Sequence, residues 1–237
     1  MKKLILTIAL TFSLASTSAI AQKVTEVTSK AQLEAMSPDD VIADLKKGNE
    51  HFVEGKLTNF DYMAQVKNSA NGQNPKAVIL SCLDSRVPVE TIFNQGIGDL
   101  FVGRVAGNIE TSEQIGSYEF ATGIVGSKVI VVLGHTSCGA VKGTIDQNAV
   151  SKLGHTNLNA LVEEINPAVL MAMKDGDERS SSNTALVNRS VEKNVELTIS
   201  DIRTQSQTLS NLEKEGAIKI VGAIYDIKTG KVSWMDN

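Results

Sequence analysis

The sequence predicts an α/β fold in which a central, mostly parallel β-sheet is flanked by helices. Three observations carry that expectation. Apolar, β-branched runs at Ala77-Val78-Ile79-Leu80 and from Val129 to Leu133 stop abruptly at polar clusters, as buried strands running into loops do. Helix-length stretches lie between runs of this kind, with residues 109–125 the clearest. Strand, helix, strand at this spacing calls for parallel pairing through right-handed crossovers.

The elements follow in order. Ser37-Pro38-Asp39-Asp40 opens a helical pattern, and Val41, Leu45 and Phe52 recur at helical spacing among charged residues, which predicts an amphipathic helix over 39–54. Strands are expected at Ala77 to Leu80, Asp99 to Val102 and Val129 to Leu133, the last stopping at Gly134-His135. In the stretch 109–125, Ile109, Ile115, Tyr118 and Ala121 are the candidates for a core-facing side. Residues 155–174 and 184–214 read mainly as helix, separated by a loop rich in serine and charge. Ile218 to Tyr225 predicts a further strand, and Lys231 to Trp234 a short partner across the Lys228-Thr229-Gly230 turn. There is no fixed-period repeat and no long low-complexity tract.

Lys2 and Lys3 precede an apolar run from Leu4 to Leu14 and small residues ending at Ala19-Ile20-Ala21, the layout of a cleaved secretory signal. A membrane span needs about 20 mostly apolar residues, whereas this run is interrupted by Thr7, Thr11 and Ser13. Residues 1–21 are therefore expected to be removed and residues 22–237 to form one domain, exported to the periplasm and free of the membrane. A chain of this length can bury one sizeable core. Loss of Lys2 and Lys3 takes the formal charge from −4 to about −6, which argues against a nucleic-acid partner.

Chemistry concentrates at two predicted strand ends. Cys82 follows the first strand, with Asp84 and Arg86 beside it, and His135 and Cys138 follow the third. In open α/β sheets such ends converge on the crevice where ligands sit. The His-x-x-Cys spacing lets both side chains face one way if the segment begins a helix. Two thiolates and an imidazole suit zinc, which favours tetrahedral sulfur and nitrogen coordination and leaves a position open in catalytic sites. Two other readings stand beside this one. In an exported chain Cys82 and Cys138 can pair as a disulfide. Both can also be ordinary buried residues, with His135 a hydrogen-bonded loop histidine.

Cys82-Leu83-Asp84-Ser85-Arg86 and Gly134-His135-Thr136-Ser137-Cys138-Gly139 resemble the paired signatures of β-class carbonic anhydrases. Arg104-Val105-Ala106-Gly107-Asn108 resembles the segment between them, and Gly48-Asn49-Glu50-His51-Phe52 the N-terminal helix motif, so the similarity runs from about residue 38 to 226. The resemblance implies a β-carbonic anhydrase-like fold and one Zn²⁺ per subunit, bound by Cys82, His135 and Cys138. Asp84 would orient the fourth-site water or occupy that site itself, with Arg86 paired to it. It implies reversible hydration of carbon dioxide to bicarbonate by zinc-bound hydroxide. Gln73 would hydrogen-bond bicarbonate, and Phe101, Ala106 and Phe120 would line the apolar carbon dioxide pocket.

Phe120 departs from the tyrosine often found at its place, which puts a phenolic contact there in doubt. Ile79 stands where another subgroup keeps a tryptophan for a regulatory bicarbonate site, so this chain is expected to fall in the open-site subgroup. Arg104 then reads as a structural or interface arginine. His51 and His155 are the remaining histidines and the only candidates for a proton shuttle, although each fits a surface or capping residue. The resemblance also implies a homodimer or a dimer of dimers, with Gln73 or Phe120 contributed across the interface. Hydrolysis of carbon disulfide or carbonyl sulfide on the same scaffold, and a non-catalytic exported zinc or disulfide protein, are the rival functions.

Overall fold

A computed structural model of the chain describes residues 23–235. The proposed signal at 1–21 lies outside the described residues. Two helices lead in, the short α1 (Lys30–Ala35) and the longer α2 (Pro38–Val53). Each opens on a reciprocal serine cap, Ser29 with Gln32 and Ser37 with Asp40, which satisfies backbone N–H groups that a helix start leaves unpaired. A third helix, α3 (Tyr62–Ser69), is capped by Asp61 and was not expected from the sequence.

The sheet has five strands in the order β2-β1-β3-β4-β5: β1 (Ala77–Ser81), β2 (Leu100–Arg104), β3 (Val129–His135), β4 (Lys219–Tyr225) and β5 (Val232–Trp234). The first four are parallel, and β5 turns back antiparallel on β4. Each expected strand is present within about two residues of its predicted ends. Every residue of β1 and β3 is buried, as central strands covered on both faces require.

Alternation along the strands divides the core between those faces. Ile79, Val131 and Leu133 pack with Val41 and Leu45 of α2 and with Ile92 of the short α4 (Val89–Ile92). Val78, Leu80, Ile130 and Val132 pack on the opposite face. Their partners there are Ile115 and Tyr118 of α5 (Ser112–Glu119), Val195 and Ile199 of α9 (Thr184–Gln205), and Leu209 of α10 (Gln207–Lys214). A third cluster lies past the carboxyl ends of β1 and β3. It joins Cys82 and Cys138 to Val141 of α6 (Gly139–Ile145), Ile165 of α8 (Thr156–Ala172) and Leu186 of α9. A short helix, α7 (Gln147–Ser151), links α6 to α8.

Two expected helices are each broken. The 109–125 stretch begins in extended backbone at Ile109, starts α5 only at Ser112, and widens into a π-helical turn over Phe120–Val125 that stops at left-handed Gly126. Thr111 sets the start by accepting a hydrogen bond from the Gln114 amide, a capping geometry that excludes residue 109 from the helix. The 184–214 helix breaks at Ser206. That hydroxyl donates to Glu119 and accepts from the Leu209 amide, so it serves as a cap and a tertiary contact together.

Candidate metal centre

β1 and β3 lie side by side with Ser81 opposite Leu133, so Cys82 leaves the sheet next to the end of β3, where His135 is the last strand residue. Cys138 completes the group from the N-cap position of α6. The expectation that His135 and Cys138 converge by lying on one helix does not hold. His135 is still strand, Ser137 takes a left-handed conformation at φ 58°, and the helix begins only at Gly139. A tight turn, not helical periodicity, folds Cys138 back toward the imidazole.

One donor atom from each of Cys82, His135 and Cys138 lies within 4.8 Å of the others. The two sulfurs are 3.9 Å apart and both cysteines are free. A covalent bridge requires about 2.05 Å. Two thiolates on a tetrahedral zinc, each about 2.3 Å from the ion, stand roughly 3.8 Å apart. His135 is fully buried, and its Nε2 has no hydrogen-bond partner. Its Nδ1 lies 3.0 Å from the Thr136 carbonyl oxygen, so the Nδ1–H donates there and the bare Nε2 lone pair is left to a metal. An orphaned buried nitrogen beside two unbridged sulfurs fits a zinc ion, because an empty site would leave that nitrogen desolvated for nothing.

The protons on the sulfurs tell the same story. Donation from the Cys138 thiol is the largest of the effects that pull Cys82 down to about 4, and burial opposes it. The Gly107 amide, which is 3.3 Å from the Cys82 sulfur, pulls further in the same direction. Cys138 is pushed up because its thiol is the donor in that hydrogen bond and is buried. The pair thus shares one proton, and a divalent cation bound there would take its place between two thiolates.

Asp84 is held at the rim. Its Oδ1 accepts from the Arg86 amide and Nε, both at 2.9 Å, its Oδ2 accepts from Arg86 Nη2 at 2.6 Å, and Oδ2 is 3.8 Å from His135 Nε2. The Arg86 hydrogen bonds keep this carboxyl ionised well below the usual carboxylate range, against a smaller opposing effect of burial.

Two residues support the group: Arg104, read from the sequence as a structural or interface arginine, and Gly107, whose role the sequence does not reveal. Arg104 donates from Nε to the Cys82 carbonyl at 3.1 Å and from Nη2 to the Asp84 carbonyl at 2.5 Å, bracing the loop on both sides of Leu83. Gly107 sits at φ 78° in a short 3₁₀ turn (Ala106–Asn108), and a Cβ there would come 2.5 Å from Ile165 Cδ1. Glycine's freedom at positive φ and its lack of bulk therefore let the amide reach the sulfur. The sequence marked this glycine only as part of the family-like segment Arg104-Val105-Ala106-Gly107-Asn108, without its role.

The substrate-side candidates are spread out. Ala106 adjoins Gly107 beside Cys82. Phe101 and Phe120 meet edge to face, with ring centroids 6.4 Å apart, in a cavity of about 330 Å³ that none of Cys82, His135 and Cys138 lines. Gln73 is exposed just ahead of β1, at the opposite end of that strand from Cys82, so one chain does not bring it to the metal group. His51 contacts Asn94 in a pocket with Lys76 and Asp99, again at the amino end of the sheet, and His155 is an exposed residue before α8. Trp234 packs on Phe93, while Ile79 is fully buried in β1.

A family model described as carbonic anhydrase matches residues 77–232, from the first residue of β1 into β5. The chain belongs to the β-class carbonic anhydrase family. Carbonic anhydrase 2 of Mycobacterium tuberculosis is 36% identical over 197 residues, covering 81% of this chain and 90% of that protein. Among solved structures, the β-carbonic anhydrase CafA of Aspergillus fumigatus superposes with a TM-score of 0.64 at 23% identity, covering 84% of this chain and 90% of the other. Tetrameric β-carbonic anhydrases of Sordaria macrospora superpose with a TM-score of 0.60 at 24% identity, covering 84% and 93%. These superpositions bear on the fold, and they agree with the parallel sheet expected from the sequence. The matched segment contains all three metal-group residues together with Asp84, Arg86 and Arg104.

Proposed function

We propose that this carbonic anhydrase family member catalyses the reversible hydration of carbon dioxide to bicarbonate and a proton at a zinc ion held by Cys82, His135 and Cys138. The observation that carries the reading is the buried, unpartnered His135 Nε2 converging with two unbridged sulfurs 3.9 Å apart. When bound there, zinc would supply a Lewis acid that renders water nucleophilic near neutral pH.

The chain's own groups do the rest. Thr136 fixes the imidazole tautomer, and Gly107 steadies the Cys82 sulfur. Asp84 stays an anion and offers an acceptor at the rim, aimed by Arg86. A carboxylate whose two oxygens both engage Arg86 is held back from the metal, and Ile79 replaces the tryptophan of the regulated subgroup. Both features support an open site without bicarbonate regulation by that route.

The reading extends to a homodimer, or a dimer of such dimers, in which a second copy supplies Gln73 or Phe120 to each metal centre. Their distance from the metal group within one chain supports this, as do the exposed apolar side chains of Leu83 (66%), Phe120 (48%) and Ile124 (77%). The amino-terminal pattern supports export to the periplasm with cleavage after Ala21.

The test is carbon dioxide hydration by purified residues 22–237 across pH, with zinc determined on the same sample and carbonyl sulfide and carbon disulfide assayed alongside. One zinc per chain and hydration of carbon dioxide are expected. Cys82→Ser and His135→Ala should abolish both together, and full activity in either variant would refute the assignment. Thiol titration in denaturant should find both cysteines once a chelator has removed the metal, whereas a disulfide would show neither.

A further inference from the structure

The turn that carries His135 and Cys138 is held from behind by the hairpin joining β4 to β5. Thr136 makes the connection with each of its polar groups but one. Its amide donates to the Tyr225 carbonyl at 2.9 Å, one step beyond the register pair of His135 and Tyr225. Its hydroxyl donates to Asp226 Oδ1 at 3.4 Å and accepts from the Ile227 amide at 3.2 Å. The remaining group, the carbonyl, takes the His135 Nδ1–H at 3.0 Å. The hairpin is itself well braced. Asp226 Oδ1 accepts from the Lys228 amide at 2.8 Å, the Asp226 amide donates to the Lys231 carbonyl at 2.9 Å, and the Gly230 amide donates to the Asp226 carbonyl at 2.8 Å.

Given the zinc reading of the site, on which this step rests, we infer that Asp226 and the Thr136 hydroxyl are positioning residues for the metal centre. They fix the peptide whose carbonyl receives the His135 Nδ1–H, and so aim the bare Nε2 at the ion. A hydrogen bond at Nδ1 decides which ring nitrogen is free and how the ring is turned. That bond is only as well directed as the carbonyl that accepts it. Ser137, the next residue, stands at φ 58°, a conformation that costs an L side chain energy, so local preference does not hold the peptide between Thr136 and Ser137 in this orientation. The hairpin supplies the restraint instead. With its amide and hydroxyl both tied down, Thr136 can turn only by breaking three hydrogen bonds together. A β-branched side chain with few χ1 choices passes that restraint from Asp226 to the backbone. If these contacts served only to close the hairpin, their loss would lower stability and leave the imidazole unchanged.

The experiment uses the full mature chain, residues 22–237, with its histidines labelled with nitrogen-15. Chelator competition gives the zinc affinity, solvent exchange of the His135 Nδ1–H resonance in the zinc-loaded protein reports the hydrogen bond, and melting of the metal-free protein measures the structural cost separately. Thr136→Val keeps the branched shape and loses the hydroxyl. It should bind zinc about tenfold more weakly, and its Nδ1–H should exchange several times faster. Asp226→Ala should weaken zinc about fivefold, the worth of one hydrogen bond. The double variant should bind zinc about as weakly as Thr136→Val alone, because both changes remove the same contact. Thr136→Ser and Asp226→Asn keep the hydroxyl and the acceptor oxygen and should match the parent. A Thr136→Val protein with the parent's zinc affinity and Nδ1–H exchange overturns the inference, whatever its melting temperature. Should that variant fail to fold, the same result in Asp226→Ala overturns it. A parent that binds no zinc overturns the reading of the metal centre and this inference with it, whereas a parent with zinc and a slowly exchanging Nδ1–H leaves that reading standing whichever way the variants fall.

Discussion

Replacing Gly107 with alanine tests how far the metal centre depends on one backbone conformation. The residue sits at φ 78°, a region that costs an L side chain about 1–2 kcal/mol. The new methyl would lie 2.5 Å from Ile165 Cδ1 and 3.3 Å from Ala140 Cβ. Ile165 is fully buried, so its side chain can swing aside only by disturbing its neighbours, which adds about 1 kcal/mol or more of overpacking. The sum is roughly 2–3 kcal/mol, and for a domain of this size that corresponds to a fall in Tm of about 4–12 °C.

The loss should not stay local. The Gly107 amide donates to the Cys82 sulfur, and its carbonyl accepts from Asn194 Nδ2 at 2.6 Å, so a shift of the turn misplaces a ligand support. Zinc affinity should fall about 10- to 100-fold, as for other losses of groups that orient metal ligands. Calorimetric melting of the metal-free and zinc-loaded forms, with competition titration against a chromophoric chelator, measures both effects. A Gly107→Ala protein that melts within 1 °C of the parent and holds zinc equally well would refute the argument that the turn's geometry sets the Cys82 environment.

Two further perturbations probe neighbouring features. Arg104→Met removes both donors to the Cys82 and Asp84 carbonyls while preserving much of the side chain's bulk, and kcat/KM should drop by about tenfold with the fold intact, as read by stopped-flow hydration and circular dichroism. Glu110→Gln should stabilise the protein at neutral pH. Burial, with smaller contributions from Asp201 and Glu164, raises the Glu110 pKa, so the folded state binds this proton more tightly than the unfolded chain. The resulting destabilisation is absent below the ordinary glutamate value of 4.5 and complete above the raised one. The Gln205 amide donates to Glu110 Oε1, a contact the glutamine side chain can keep. Urea unfolding from pH 4 to 8 should show the variant's advantage growing with pH, and an advantage independent of pH would contradict the assignment.

What was legible in the sequence was chiefly local. β-branched runs marked the buried strands, since only side chains suited to both faces of a covered sheet persist through Ala77–Ser81 and Val129–His135. Ser37 and Asp40 announced the start of α2 because a cap needs only the residues beside it. The breaks at Thr111 and Ser206 were harder to see. Each hydroxyl is an unremarkable residue in a helical pattern, and Ser206 acquires its meaning from Glu119, far away along the chain. The metal group was legible as a set of residue types at strand ends, reinforced by the family signatures, yet the local argument for its convergence was mistaken: a left-handed turn at Ser137, not a helix, folds Cys138 back.

The sequence by itself determined the chemical kinds present: two thiols, one imidazole, a carboxylate with its arginine, and strands long enough to deliver them. Only the tertiary structure decided that sulfurs 56 residues apart stand at 3.9 Å, that Nε2 of His135 is bare, and that Arg104 braces the loop between Cys82 and Asp84. The physical reason is range. Caps and strand propensity act over a few residues, whereas donor spacing is set by which strands pair and in what register, a property of the whole packed sheet.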